Sequence, residues 1–183
     1  MNTSTSRLRS VALVPVGVAD KKSLKALQKR LPEKFEGISC QVVRASINVE
    51  EFVKAGSNQY HSTKILHALE THQRKMQVDR VLGVTALDLY LPSMNFVFGE
   101  AQLPGKFALI STHRLKGDTG YGGEDLFLGR IVKEAVHELG HTLGLTHCQS
   151  STCVMFFSNS LKDTDRKGED YCGSCLAKLG EHT

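Results

Sequence analysis

Four side chains in the segment VHELGHTLGLTH could do chemistry together. They are His137, Glu138, His141 and His147, spaced H-E-x-x-H-x-x-G-x-x-H with Gly144 between the last two histidines. Residues four apart stack on one face of an α-helix, so His137 and His141 can aim imidazole nitrogens at one ion. Glu138 borders that face without having to be a ligand. Gly144 can take the left-handed conformation that ends a helix, swinging the chain back to deliver His147 as a third imidazole. Three neutral imidazoles suit Zn²⁺ at about 2.0–2.1 Å and leave a fourth position for water. Zinc lowers the pKa of its water toward about 7; Glu138 could take the proton as the oxygen attacks a carbonyl, then return it to a leaving amine. A lone H-E-x-x-H arises by chance on many helices. The glycine and the third histidine at fixed offsets make this pattern specific.

The cysteines suggest a second site. The chain has 5 of them, an odd number that argues against a pure disulfide framework. Cys148, Cys153, Cys172 and Cys175 can hold a second zinc as thiolates, with no open position, and so stabilise a short tail that has little core of its own. Cys40 is then left as a small buried apolar residue. The competing reading is two disulfides in a secreted protein. A C-x-x-C pair such as Cys172 to Cys175 is a poor structural disulfide and a common metal knuckle, which favours zinc.

Elements must position these groups. At 183 residues, 40% hydrophobic and 23% charged, the chain fits one soluble domain with a real core and has room for a small subdomain. A net charge of +4 without a dense basic run or interleaved aromatics argues against a nucleic-acid partner. No apolar stretch reaches the length of a membrane span. Arg7 and Arg9 before the run Val11 to Ala19 resemble a leader peptide, but Pro15 and Gly17 interrupt it, so it reads as a buried strand. Reduced thiols fit a cytoplasmic setting.

Val11 to Val18, a helix over Lys21 to Leu31 ended by Pro32, and Ile38 to Ile47 predict a parallel strand pair with a helical crossover. Ser57 to Lys75 predicts a second helix, on which His61, His67 and His72 are solvated rather than ligating, since no pair of them sits four apart. Val81 to Val84 is a third strand, followed by a loop holding Pro92. Met94 to Gln102 and Phe107 to Thr112 are two more, joined through the turn dipeptide Pro104-Gly105. After a Gly/Asp-rich loop, a long helix from near Glu124 to Leu143 carries an apolar stripe that fixes it against the sheet. Lys162 to Asp170 is polar, and a short helix near Leu176 to Leu179 closes the chain. His113 and Tyr121 are loosely placed candidates for extra stabilisation of the reaction, with ordinary structural roles as the alternative.

The whole pattern resembles the metzincin clan of zinc peptidases, and the cysteine set narrows the resemblance to the archaemetzincins. It rests on the histidine motif, Cys148 directly after His147, Cys153, Met155, the pair Cys172 and Cys175, and the flanking stretches NFVFGEA (Asn95 to Ala101) and FSNS (Phe157 to Ser160). Met155 stands where that clan has its methionine turn below the metal, although it follows the third histidine sooner than in most of the clan. The gap from Met155 to Cys172 is slightly shorter than the family pattern, which reads as loop variation.

The resemblance implies a metzincin-like α/β (α+β) fold: a mixed twisted sheet with packed helices above an active-site helix, and a small zinc-bound C-terminal subdomain. The division would fall at residues 1–146 and 147–183. It further implies a monomeric zinc metallopeptidase with two zinc ions, catalytic and structural, acting on a peptide or protein. By the same resemblance an edge strand above the zinc binds extended substrate by strand addition, a role that would fall to Phe96, Val97, Phe98, Gly99 and Glu100. The alternative is that Phe96 and Phe98 merely pack one face of an ordinary strand. A second functional reading is a zinc-holding binding module with little hydrolysis; Glu138 speaks against it, because a purely structural site has no use for a base there.

Overall fold

The structure, a computed structural model, describes residues 8–45, 47–117 and 123–181. β1 (Ser10–Pro15) is buried along nearly its whole length, as expected of a central strand with both faces covered. α1 (Lys21–Lys34) starts at Asp20, whose carboxylate accepts from the amides of Lys22 and Ser23, and buries Leu24, Leu27 and Leu31. The helix does not stop at Pro32. Proline there falls in the last turn, where the missing amide costs a single ladder bond, and Phe35 still donates to the Leu31 carbonyl at 3.0 Å. β2 (Ser39–Val42) runs parallel to β1, completing the expected crossover unit, and is shorter than the expected strand to Ile47.

The next stretch departs further from expectation. The predicted helix from Ser57 begins instead with a strand, β3 (Gln59–His61), and only then becomes α2 (Ser62–Gln73). β4 (Arg80–Thr85) pairs in parallel with β1. The predicted loop around Pro92 holds β5 (Asp88–Leu91), which turns back into β6 (Met94–Val97). β7 (Gly99–Ala101) then pairs antiparallel with β8 (Phe107–Ser111). The single strand expected over Met94 to Gln102 is therefore two strands in two sheets. Val97 and Phe98 explain the break: both are buried, but in different apolar clusters on opposite sides of the main sheet.

The main sheet has the order β2-β1-β4-β8-β7, parallel except for β7 at its edge, and β3-β5-β6 form a smaller second sheet. One face of the main sheet packs with α1 and α3 (Gly123–Thr142) through Leu27, Leu31, Ile131, Ala135, Val136 and Leu139; the other packs with α2 through Ile65 and Leu69. α3 matches the predicted long helix to within a residue at each end. Beyond it, the predicted polar segment contains a short helix, α4 (Leu161–Arg166), capped by the Ser160 hydroxyl accepting from the Asp163 amide. α5 (Gly173–Glu181) ends the chain and is longer than the helix expected there.

The segment carrying α4 is bound tightly to α3. Arg130 pairs with both carboxylate oxygens of Asp165 at 2.7 and 2.8 Å, and the Tyr171 hydroxyl donates to the Val136 carbonyl at 2.8 Å. Lys167, 0% exposed, places its ammonium 3.1 Å from a Glu134 carboxylate that also accepts from the Thr164 hydroxyl. Among the described residues, no helix is long and apolar enough to cross a membrane.

Candidate active site

α3 is amphipathic in the sense that matters for the site: its apolar stripe fixes it to the sheet, and its last two turns carry His137, Glu138 and His141. Gly144 takes φ +97, and the Leu145 amide donates back to the Gly140 carbonyl at 3.0 Å, the reversal that follows a left-handed glycine at a helix end. That reversal brings His147 to the other two rings. The ligand atoms of the three histidines all lie within 4.8 Å of one another. Ring centroids are 4.7 Å apart for His137 and His141, 4.9 Å for His141 and His147, and 5.3 Å for His137 and His147.

Backbone carbonyls orient two of the rings. Nδ1 of His137 meets the Val154 carbonyl at 2.8 Å, and Nδ1 of His141 meets the Leu145 carbonyl at 2.7 Å. A carbonyl can only accept, so both Nδ1 atoms carry the proton and both Nε2 atoms present lone pairs. Those two Nε2 atoms lie 3.1 Å apart. Two acceptors cannot bond each other, but they suit a shared cation: two N–Zn bonds of about 2.1 Å at the tetrahedral angle put the nitrogens roughly 3.4 Å apart. Loss of hydration holds all three imidazoles below the usual histidine range, which keeps them neutral for a metal at neutral pH.

Glu138 is 5% exposed. Burial pushes its carboxyl well above the ordinary range; Glu134 and Glu100 push the same way and Lys167 opposes them. Its carboxylate lies directly against the edge strand: a methyl group added at Gly99 would stand 2.6 Å from Glu138 Oε1 and 2.7 Å from the Leu109 carbonyl. Only glycine lets the strand come this close. Below the helix, Met155 is 0% exposed, and a methyl added at Gly140 would stand 2.5 Å from its sulfur. A methionine thus supports the floor of the histidine cluster.

A cavity of about 250 Å³ opens over the cluster, touching all three histidines and Glu138. Val97, Phe98, Gly99 and Glu100 line it, with β7 on the sheet edge. Phe96 does not. It lies in β6, under the Arg114 guanidinium at 4.5 Å, in a neighbouring depression it shares with His113. His113 is likewise outside the cavity, its Nδ1 3.3 Å from the Ala86 carbonyl. Tyr121 lies outside the described residues. His61, His67 and His72 are remote from the cluster along β3 and α2. Sequence reasoning missed the apolar walls of the cavity, Leu91, Met94, Leu103 and Phe157, of which Phe157 also covers the His147 ring at 4.7 Å.

The four cysteines converge separately. Their sulfurs all lie within 4.8 Å of one another, with Cys148 to Cys172 and Cys153 to Cys175 both at 3.7 Å. Four Zn–S bonds of about 2.3 Å at the tetrahedral angle put sulfurs roughly 3.8 Å apart, so the donor set fits a tetrathiolate ion. The Ser174 hydroxyl and the Cys175 amide lower the Cys172 thiol to about 6, while burial raises Cys153 and Cys175. All five thiols are free. Cys40 is half-buried, and burial raises its thiol to about 11.

Comparison with known proteins agrees with this geometry. The pattern of peptidase family M54 matches residues 20–181. The archaemetzincin of Methanocaldococcus jannaschii is 43% identical over 173 residues, covering 92% of each chain. That of Archaeoglobus fulgidus is 40% identical over 157 residues, covering 86% of this chain and 91% of its own. The crystal structure of archaemetzincin from Methanopyrus kandleri superposes with a TM-score of 0.83 at 34% identity, over 99% of this chain and 98% of that one. The Archaeoglobus fulgidus archaemetzincin, crystallised with malonate, gives 0.78 at 37% identity, over 92% and 99%. The mixed α/β architecture is therefore shared along nearly the whole chain, and the chain belongs to peptidase family M54, the archaemetzincins, a family of zinc metallopeptidases.

Proposed function

We propose that His137, His141 and His147 hold the catalytic zinc of this peptidase, that Glu138 is its general base, and that Cys148, Cys153, Cys172 and Cys175 hold a second, structural zinc. The observation that carries this reading is the position of Glu138, a buried carboxyl set against the edge strand at Gly99 and lining, with the three histidines, a cavity large enough for part of a peptide. When bound, the catalytic ion supplies a Lewis acid that makes water a competent nucleophile near neutral pH and polarises the substrate carbonyl.

The chain's own groups do the rest. Glu138 takes the proton of the attacking water and returns it to the departing amine. Its raised affinity for a proton suits it to both acts, and a neighbouring dication would temper that affinity back toward neutral pH. The Val154 and Leu145 carbonyls fix the tautomers of His137 and His141 and so keep their Nε2 lone pairs on the metal side. β7, the edge strand of its sheet among the described residues, offers backbone groups to an extended substrate, with Val97, Phe98, Gly99 and Glu100 lining its path. Apolar walls beside the metal exclude water from the reacting bond. Residues 147–183, reading on from the third histidine, form the small subdomain that the second zinc would tie together.

Glu138→Ala tests the reading. The variant should keep the metal content of the wild type and lose about 10²–10⁴-fold in cleavage of peptides identified by an unbiased library digest. Unchanged cleavage would remove Glu138 as the base.

A further inference from the structure

The two cysteines nearest the histidine cluster are placed where they can do more than hold a tail. Cys148 is joined by a peptide bond to His147, and its amide donates to the Met155 carbonyl at 2.9 Å. Cys153 is joined to Val154, whose carbonyl orients His137 at 2.8 Å, and lies two residues from the methionine that supports the helix at Gly140. One short loop thus carries the third imidazole, the carbonyl that orients the first, the supporting methionine and half of the thiolate cluster. The other half, Cys172 and Cys175, comes from the start of α5. Other bonds also reach the loop from outside: the Gly168 amide donates to the Thr152 carbonyl at 2.8 Å, the Val154 amide to the Asp170 carbonyl at 3.1 Å, and the Cys172 amide to the Cys153 sulfur at 3.4 Å.

We propose that Cys148 and Cys153 are positioning residues for the histidine trio, so that a metal ion gripped by the four sulfurs sets how tightly the imidazoles hold theirs. The inference rests on the reading that both clusters bind zinc. Four sulfurs at these separations can be thiolates together only around a cation; without one they take up protons, and the four strong bonds that would fix their positions are lost. Cys148 and Cys153 are the members whose displacement moves His147 and the Val154 carbonyl. Partners that orient metal-ligating histidines typically contribute about 10–100-fold in metal affinity. Coupling between two sites is reciprocal, so an ion on the imidazoles tightens the thiolate site by the same factor.

The test uses the full chain stripped of metal and titrated with Co²⁺, whose spectrum separates thiolate from imidazole coordination. Cys172→Ser, a substitution outside the loop in sequence, should weaken Co²⁺ binding at the histidine site about 10–100-fold and change its visible spectrum while the far-ultraviolet circular dichroism stays native. Cys40→Ser should change neither. Leu27→Ala, which destabilises the fold from α1, should lower the melting temperature and leave the histidine-site affinity intact. This separates positioning from general weakening. A second measurement needs no variant: capping the thiols of zinc-loaded wild-type protein with an organomercurial should release both zinc equivalents to a chelating dye. Unaltered histidine-site affinity in folded Cys172→Ser, or release of one equivalent only on capping, overturns the coupling. Wild-type protein that takes up no metal at the thiolates overturns both the two-zinc reading and the coupling. It would leave the role of Glu138 as base to be decided separately by Glu138→Ala.

Discussion

The histidine and cysteine clusters share a loop, yet they differ in donor count, in surroundings and in where their ligands come from. The histidine trio draws two imidazoles from one helix face and the third from the turn after it, and it faces a cavity lined by an edge strand and a buried carboxyl. The cysteine quartet joins the loop after the third histidine to the start of α5. Three neutral donors leave a position on a tetrahedral ion for a reactant; four thiolates fill it. On the proposed reading the same metal would therefore serve chemistry in one place and cross-linking in the other, and the difference lies in how many side chains the fold delivers.

The largest effect that would sharpen this contrast falls on the open site alone. Gly99→Ala should push the Glu138 carboxylate away from its seat against β7, since the added methyl has no room beside Oε1 or the Leu109 carbonyl. A misplaced base about 1 Å from its seat can cost about 100-fold in turnover, and kcat should fall by that order while the zinc content of both clusters stays constant. Equal turnover in Gly99→Ala would mean that the strand and the glutamate are not in the contact described.

A smaller effect separates the clusters by pH. The three imidazoles have folded-state pKa values below the ordinary 6.5, so in the window just below 6.5 the unfolded chain binds more protons. Their contribution to the stability of the metal-free protein is thus complete above that pH and falls as the solution is made more acidic. Cys172 behaves in a higher window. Its thiol is lowered from 9.0 to about 6, so its contribution is present above 9.0 and is lost as pH falls through that interval. Melting temperatures of the metal-free protein, which move by about 2–4 °C for each kcal/mol in a chain of this size, should decline in both windows. Cys172→Ser should abolish the upper decline and keep the lower one. A single decline that ignores the substitution would contradict this separation.

The histidine cluster was legible in the sequence because helix periodicity alone puts His137 and His141 on one face, and because a glycine that ends a helix announces the turn toward His147. The cysteine cluster was legible from the count and spacing of its members. The parallel strand pair with its crossover helix was readable too, since a strand with both faces covered and a helix with one apolar face have different periods. What escaped depends on partners remote in the chain. The stretch from Met94 to Gln102 reads as one strand by its residues, yet Val97 and Phe98 anchor in different cores, and Phe96 lies outside the cleft. β3 and β5 are short and form through each other. The carbonyls of Val154 and Leu145 orient two rings with no side-chain signature at all. The Lys167–Glu134 pair joins α3 to the segment after α4, a contact no local pattern encodes.

The most direct test of the contrast between the two clusters is X-ray absorption at the zinc edge on the purified, fully loaded protein. Two zinc ions per chain are predicted. Averaged over both, sulfur at about 2.3 Å should make up half of the neighbours and nitrogen or oxygen at about 2.0–2.1 Å the other half. A spectrum of sulfur neighbours alone, or of nitrogen and oxygen alone, would contradict the assignment of one open imidazole site and one closed thiolate site.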